Sequence, residues 1–175
     1  MTTATRNVPV IQGEFRVTSD PQDILVTILG SCVATCLFDE QAGIGGLNHF
    51  LLARSSEPDQ ASLKYGAYSM ELLINALLKG GAQKRRLKAK VFGGARMIKG
   101  LSDIGDSNGR FAISFLAHEG IPVVNTSLGG TQARKIRFDA TRGKAQQMLV
   151  GESALAAYER AAPPPAPPGG DVELF

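Results

Sequence analysis

Three β-type runs follow one another between Ile24 and Leu52, separated only by turn signals, and this block narrows the fold more than any other stretch. Ile24-Leu-Val-Thr-Ile-Leu29 is short, apolar and β-rich, the composition of a buried strand. It delivers the chain to Gly30-Ser31, after which Cys32 to Asp39 reads as a second strand. Side chains alternate along a strand, so Cys32, Ala34, Cys36 and Phe38 share one face and Val33, Thr35, Leu37 and Asp39 the other. A turn carrying Gly43 leads into a third strand, Ile44 to Leu52, and the last two runs form a hairpin. If the turn centres near Gln41 and Ala42, residues whose numbers sum to about 81–83 face each other. His49 then lies opposite Cys32 or one diagonal step away. An odd sum puts both on one face, and an even sum separates them.

The rest of the chain mixes strands with helices. Val8 to Val17 alternates weakly and reads as a strand with Gly13 as a bulge. Leu63 to Lys79 reads as a helix, with Met70, Leu73, Ile74 and Leu77 as its apolar stripe and Gly80-Gly81 as its stop. Arg86 to Phe92 alternates basic and apolar residues, a half-buried strand broken by Gly93-Gly94. Asp103 to Asn108 offers cap residues for a second helix whose core face holds Phe111, Phe115 and Leu116. Ile121 to Thr126 is a strand, Gly129-Gly130 a turn, and Gln132 to Phe138 pairs with Ala145 to Val150 as a hairpin; Glu152 to Arg160 adds a short helix. This order predicts an α+β fold, a mixed and largely antiparallel β core layered against two or three helices, rather than a doubly wound parallel sheet. Residues 1–160 are expected to form a single domain. Residues 161–175, rich in Pro and Gly, lack the apolar content and the backbone donors to join a core and are expected to be a disordered tail.

Composition excludes several classes. No stretch approaches the apolar length of a membrane span, and the N-terminus has no secretory h-region, so a cytoplasmic protein is expected. The two cysteines, Cys32 and Cys36, would sit roughly 13 Å apart on one strand, too far for a disulfide, so free thiols are expected. A closed Cys2His2 zinc site would need the remote His118 and fits no usual ligand spacing. From Lys79 to Ser102 the chain carries Lys79, Lys84, Arg85, Arg86, Lys88, Lys90, Arg96 and Lys99 with no acidic residue. Such a run is either a solvated edge or a dock for an acidic protein. Nucleic acid is disfavoured, because no aromatic residues interleave in a binding pattern.

Cys32 and His49 are the candidate pair for chemistry, the alternative being a buried, inert cysteine near a packed histidine. Attack on a carbonyl needs a thiolate, and a neighbouring imidazole can take the thiol proton and later give it to the leaving group. A Gly-Ser turn directly before the nucleophile can present backbone N–H groups to a tetrahedral oxyanion, which makes Ser31 a candidate at that position. Thr27, Ser31, Thr35 and Asn48 are the nearby groups able to orient the imidazole or meet substrate. Cys36 is expected to be inert packing.

Leu29-Gly-Ser-Cys-Val33, Cys36-Leu-Phe-Asp39 and Gly45-Gly-Leu-Asn-His-Phe50 resemble the signature of the chemoreceptor glutamine deamidase family, CheD. The likeness continues through Phe92-Gly-Gly-Ala95, Ile104-Gly105 with Asn108, Gly120-Ile-Pro-Val-Val124, Gly129-Gly-Thr131 and Arg134-Lys-Ile-Arg-Phe138. The resemblance implies a protein-glutamine glutaminase, an amidohydrolase that converts particular glutamine side chains of chemotaxis receptors to glutamate. It implies a fold like the cysteine-hydrolase domain of glutamine-deamidating toxins. It also implies Cys32 as nucleophile, His49 as general base and then acid, Thr27 as the residue orienting the imidazole with Thr35 as its rival, and no metal or organic cofactor. Arg96, Arg134 and Arg137 are candidates to meet acidic receptor helices. Two alternatives stand beside this: an adaptor that binds receptors or a CheC-type chemotaxis phosphatase without catalysis, and a thiol hydrolase acting on another amide or ester.

Overall fold

The computed structural model describes residues 3–52, 59–97 and 104–161, and for 158–161 the backbone alone. Two β-sheets stack, with two helices on the far side of the larger one. The four-stranded sheet has the order β1 (Arg6–Pro9), β3 (Asp23–Leu29), β8 (Ala133–Asp139), β9 (Lys144–Val150). The five-stranded sheet has the order β2 (Phe15–Thr18), β5 (Ile44–Phe50), β4 (Val33–Asp39), β6 (Lys88–Gly93), β7 (Val123–Leu128). Only the β1–β3 and β6–β7 pairs are parallel, so the mixed, largely antiparallel α+β core expected from the sequence is what forms.

Each layer follows from strand alternation. Leu25 and Leu29 of β3, Ala34, Cys36 and Phe38 of β4, Leu47 of β5, Phe92 of β6, and Ile136 and Phe138 of β8 fill the space between the sheets. On the other face Val33, Leu37, Ile44, Phe50, Ala89 and Val91 meet Met70, Leu73, Ile74 and Leu77 of α1 (Gln60–Lys79) and Ala112 and Leu116 of α2 (Ile104–His118). Strand β4 is central in the middle layer, so all seven of its residues are buried. α1 starts earlier than its apolar stripe because Asp59 accepts a hydrogen bond from the Ser62 N–H, capping the helix at 2.8 Å. α3 (Glu152–Ala161) follows β9 and leans on β3. The tail expected over 161–175 lies, beyond Ala161, outside the described residues.

One expectation is corrected. The single strand over Val8 to Val17 is two strands in different sheets, because Gly13, at φ 88°, turns the chain across from one sheet to the other. The cap expected within Asp103 to Asn108 would precede Ile104, where α2 begins, and Asp103 falls outside the described residues. The basic run stays at the surface while several of its residues pair within the chain. Lys84 pairs with Glu119 at 2.6 Å, Lys88 with Glu40 at 3.3 Å, and Arg86 with buried Asp39 at 3.0 Å, while Lys90 donates to the Gly143 carbonyl at 2.7 Å.

Candidate active site

The chain crosses between the sheets twice in the same neighbourhood. At 30–32 it leaves β3 for β4, and at 10–14 it leaves β1 for β2. Cys32 sits on the first crossing, directly before β4. The β4–β5 register pairs Val33 with Phe50 and Ala34 with His49, an odd sum, so Cys32 and His49 share the face between the sheets as diagonal neighbours. Such neighbours stand roughly 7–8 Å apart, and less at Cβ, within reach of each other once the side chains turn.

His49 is 3% exposed and Cys32 9%. The imidazole is held from behind by Thr27, whose Oγ1 lies 2.8 Å from Nδ1. The same hydroxyl donates to the Val10 carbonyl at 2.7 Å. A hydroxyl has one proton, so with that proton on Val10 the oxygen can only accept from the ring. Nδ1 therefore carries its hydrogen, and Nε2 is left as the lone-pair nitrogen. Nε2 is buried with no hydrogen-bond partner among the described residues, an arrangement that leaves it free to receive a proton. Burial pushes the His49 pKa down to about 4, only partly countered by its bond with the Val10 backbone. The ring is neutral at pH 7.

Thr27 and Thr35 are separated by topology. Thr27 lies on β3 of the four-stranded sheet and reaches His49 across the gap, whereas Thr35 lies on the helix-facing side of β4. Asn48, expected near substrate, also faces the helices: it is 1% exposed, accepts from the Thr35 N–H at 2.9 Å and donates toward Met70 Sδ at 3.3 Å. Adjacent strand residues point to opposite faces, so once His49 faces the sheet gap Asn48 cannot. Cys36 packs between the sheets with its thiol pKa raised by burial, as an inert cysteine does. Arg134 is turned inward, 4% exposed, with its guanidinium on the carbonyls of Ser127 and Gly129, and so presents no charge to a partner; burial lowers its pKa.

The turn that carries the nucleophile is tied down on three sides. Gly94 N donates to the Cys32 carbonyl at 2.8 Å and Ala95 N to the Gly30 carbonyl at 3.0 Å. Asn108 donates to the Ser31 carbonyl at 2.8 Å and accepts from the Leu52 N–H at 3.0 Å, so one α2 side chain joins the nucleophile turn to the end of β5. A third contact comes from the other crossing, where the Cys32 thiol donates to Gln12 Oε1 at 3.5 Å. Sequence reasoning missed Gln12, the Val10 carbonyl and the bridging role of Asn108. All three act across sheet or helix contacts that have no local signature. A cleft of about 550 Å³ lies beyond Gly94, along α2 between Arg96, Gly109, Leu128 and Gly130; neither Cys32 nor His49 lines it, so it is not where this chemistry sits. Among the described residues no group of three or more His, Cys, Asp or Glu could hold a metal ion.

By fold the chain is an α+β protein in which Thr27 meets the His49 ring and Cys32 lies on the same face of the sheet. Residues 51–148 match the family model described as CheD chemotactic sensory transduction. "Probable chemoreceptor glutamine deamidase CheD 1" of Ruegeria sp. (strain TM1040) is 50% identical over 180 residues, covering 98% of this chain and 96% of that protein. "Probable chemoreceptor glutamine deamidase CheD" of Caulobacter vibrioides (strain NA1000 / CB15N) is 50% identical over 173 residues, covering 96% of this chain and 92% of that protein. The chain belongs to the CheD family. Among solved structures, Bacillus licheniformis hypothetical protein YfiH aligns with a TM-score of 0.43 at 14% identity, over 72% of this chain and 60% of that one, a likeness too slight to carry an argument.

Proposed function

We propose that this protein hydrolyses the side-chain amide of specific glutamines in chemotaxis receptors, yielding glutamate and ammonia. The observation that supports the chemistry is the Thr27 hydroxyl, which donates to Val10 and meets His49 at Nδ1, so that Nε2 is the ring's unprotonated nitrogen. The names of the half-identical relatives support the substrate class. His49 Nε2 takes the Cys32 proton as the thiolate attacks the glutamine carbonyl carbon, and the π electrons move onto oxygen. Backbone N–H groups at Ser31 and Cys32 face the oxyanion. Collapse breaks the C–N bond, and His49 returns the proton to the departing ammonia. His49 then deprotonates water, which attacks the thioester and frees Cys32. Thr27 holds the ring throughout, and no cofactor takes part.

The receptor's signalling region would meet the enzyme in the cytoplasm. No helix among the described residues is long and apolar enough to cross a membrane, and residues 1–160 act as one domain in this account. A CheC-type phosphatase is kept as a partner on family resemblance alone. An adaptor role would use the exposed basic edge, where Lys84 and Lys88 pair within the chain yet stay about half exposed. Ammonia release from a receptor cytoplasmic fragment tests the proposal. Cys32→Ala and His49→Ala should abolish it while circular dichroism stays unchanged. Equal release by Cys32→Ala would exclude the thiol route.

A further inference from the structure

We infer that Gln12 is a catalytic residue, its carboxamide supplying a side-chain N–H donor to the oxyanion that forms at Cys32. The inference rests on the thiol route proposed above. Gln12 occupies the second crossing between the sheets, and its carboxamide is already at the reacting atom, with Oε1 3.5 Å from Cys32 Sγ. Its backbone is fixed rather than draped. Ile11 to Glu14 form a tight turn closed by Glu14 N to the Ile11 carbonyl at 3.0 Å, with Gly13 at φ 88° in the position a type II turn reserves for glycine. The Glu14 carboxylate also accepts from the Ile11 N–H at 3.2 Å. The turn is then stitched to the strand bearing the base: Gly13 N donates to the His49 carbonyl at 2.8 Å, and His49 N donates to the Glu14 carbonyl at 3.1 Å. The element that aims Gln12 at the thiol is thus bonded to the backbone of the residue that deprotonates it.

The resting contact is with the thiol proton, and that proton leaves when His49 takes it. A carboxamide oxygen beside a thiolate is repelled, whereas its amide end is attracted, so rotation about the last side-chain torsion brings Nε2–H toward the new charge. When the S–C bond forms and the carbonyl electron pair moves to the substrate oxygen, that oxygen lies one bond angle from Sγ and within reach of the same amide. Thr27 and Asn108 are buried, while Gln12 is exposed and so open to a substrate from solvent. Its placement suits a group that meets the substrate.

Gln12→Ala and Gln12→Glu separate this role from a structural one. Ammonia release from a receptor fragment should fall roughly 10- to 100-fold in kcat for Gln12→Ala with KM within a few-fold, because an exposed position lets water replace part of a donor whose buried counterpart gives more. Gln12→Glu, the same shape with acceptors in place of the donor, should fall at least as far. Alkylation of Cys32 by iodoacetamide passes through the thiolate but forms no oxyanion, so in Gln12→Ala it should slow by no more than a few-fold while kcat falls further. A loss of alkylation in step with kcat, or an unchanged kcat, would overturn the role. A p-nitrophenyl ester, whose acylation also passes through an oxyanion, repeats the comparison independently of any receptor. If the wild type acylates with this ester yet releases no ammonia from the receptor fragment, the deamidase assignment fails, while the Gln12→Ala deficit on the ester still decides the donor role. Peptide mass mapping of the wild type should find Gln12 intact; its conversion to Glu in the wild type, absent in Cys32→Ala, would make Gln12 a substrate and overturn the inference.

Discussion

A single hydroxyl proton bears on the tautomer of His49. Thr27 gives that proton to Val10, so the ring donates from Nδ1, and removing the hydroxyl leaves the Val10 backbone as the ring's remaining partner. Thr27→Val should lower kcat for deamidation roughly 10- to 100-fold, the usual effect of losing a partner that fixes an imidazole's tautomer, while Thr27→Ser should stay within a few-fold. The same ring sets a pH dependence of stability. Its folded pKa, about 4, lies below the ordinary value of 6.5, so between those values the unfolded chain binds the extra proton. The contribution is whole above pH 6.5 and is lost as pH falls through 4, an effect on the order of 3 kcal/mol. Urea titrations should show it, and His49→Gln should flatten that window. Asp39, where bonds from Gln83, Ala42 and Arg86 outweigh the effect of burial, is held below the usual carboxylate range and acts at lower pH.

At the scale of elements, the site depends on two crossings held between two sheets. Gly93 ends β6 at φ 111°, and a Cβ there would stand 2.2 Å from the Cys32 carbonyl oxygen, closer than real atoms approach. Gly93→Ala should therefore break the bond from Gly94 N to Cys32, cost about 1–3 kcal/mol in backbone strain alone, and abolish ammonia release; thermal melting and the activity assay check both. Much of this was legible in the chain. The Gly43 turn and the alternation around it made Cys32 and His49 neighbours, the register of the hairpin put them on one face, and the glycine pairs at 93–94 and 129–130 take positive φ. Alternation also held the evidence against Asn48, since a neighbour of His49 on a strand must face away. What no local pattern contained was which sheet each strand joins. Thr27 and Thr35 read alike in sequence, and only the placement of β3 in the opposite sheet brings one of them to His49. Gln12 was hidden for the same reason, because Val8 to Val17 read as one strand instead of two joined by a crossing.

Across the whole molecule, the stacked sheets bury the base almost completely while leaving the thiol slightly open beside an exposed carboxamide. Burial keeps His49 neutral at pH 7, and in the proposed reaction the substrate is a side chain that reaches between the crossings. Membership of the CheD family and the names of its relatives point to glutamine in chemoreceptors as that side chain. Peptide mass mapping of a receptor cytoplasmic fragment is the most direct measurement. After incubation with the wild-type protein, particular glutamines should be converted to glutamates, and with Cys32→Ala the same positions should remain glutamine. Receptor glutamines left unchanged by the wild type, or converted equally by Cys32→Ala, would contradict deamidation through Cys32.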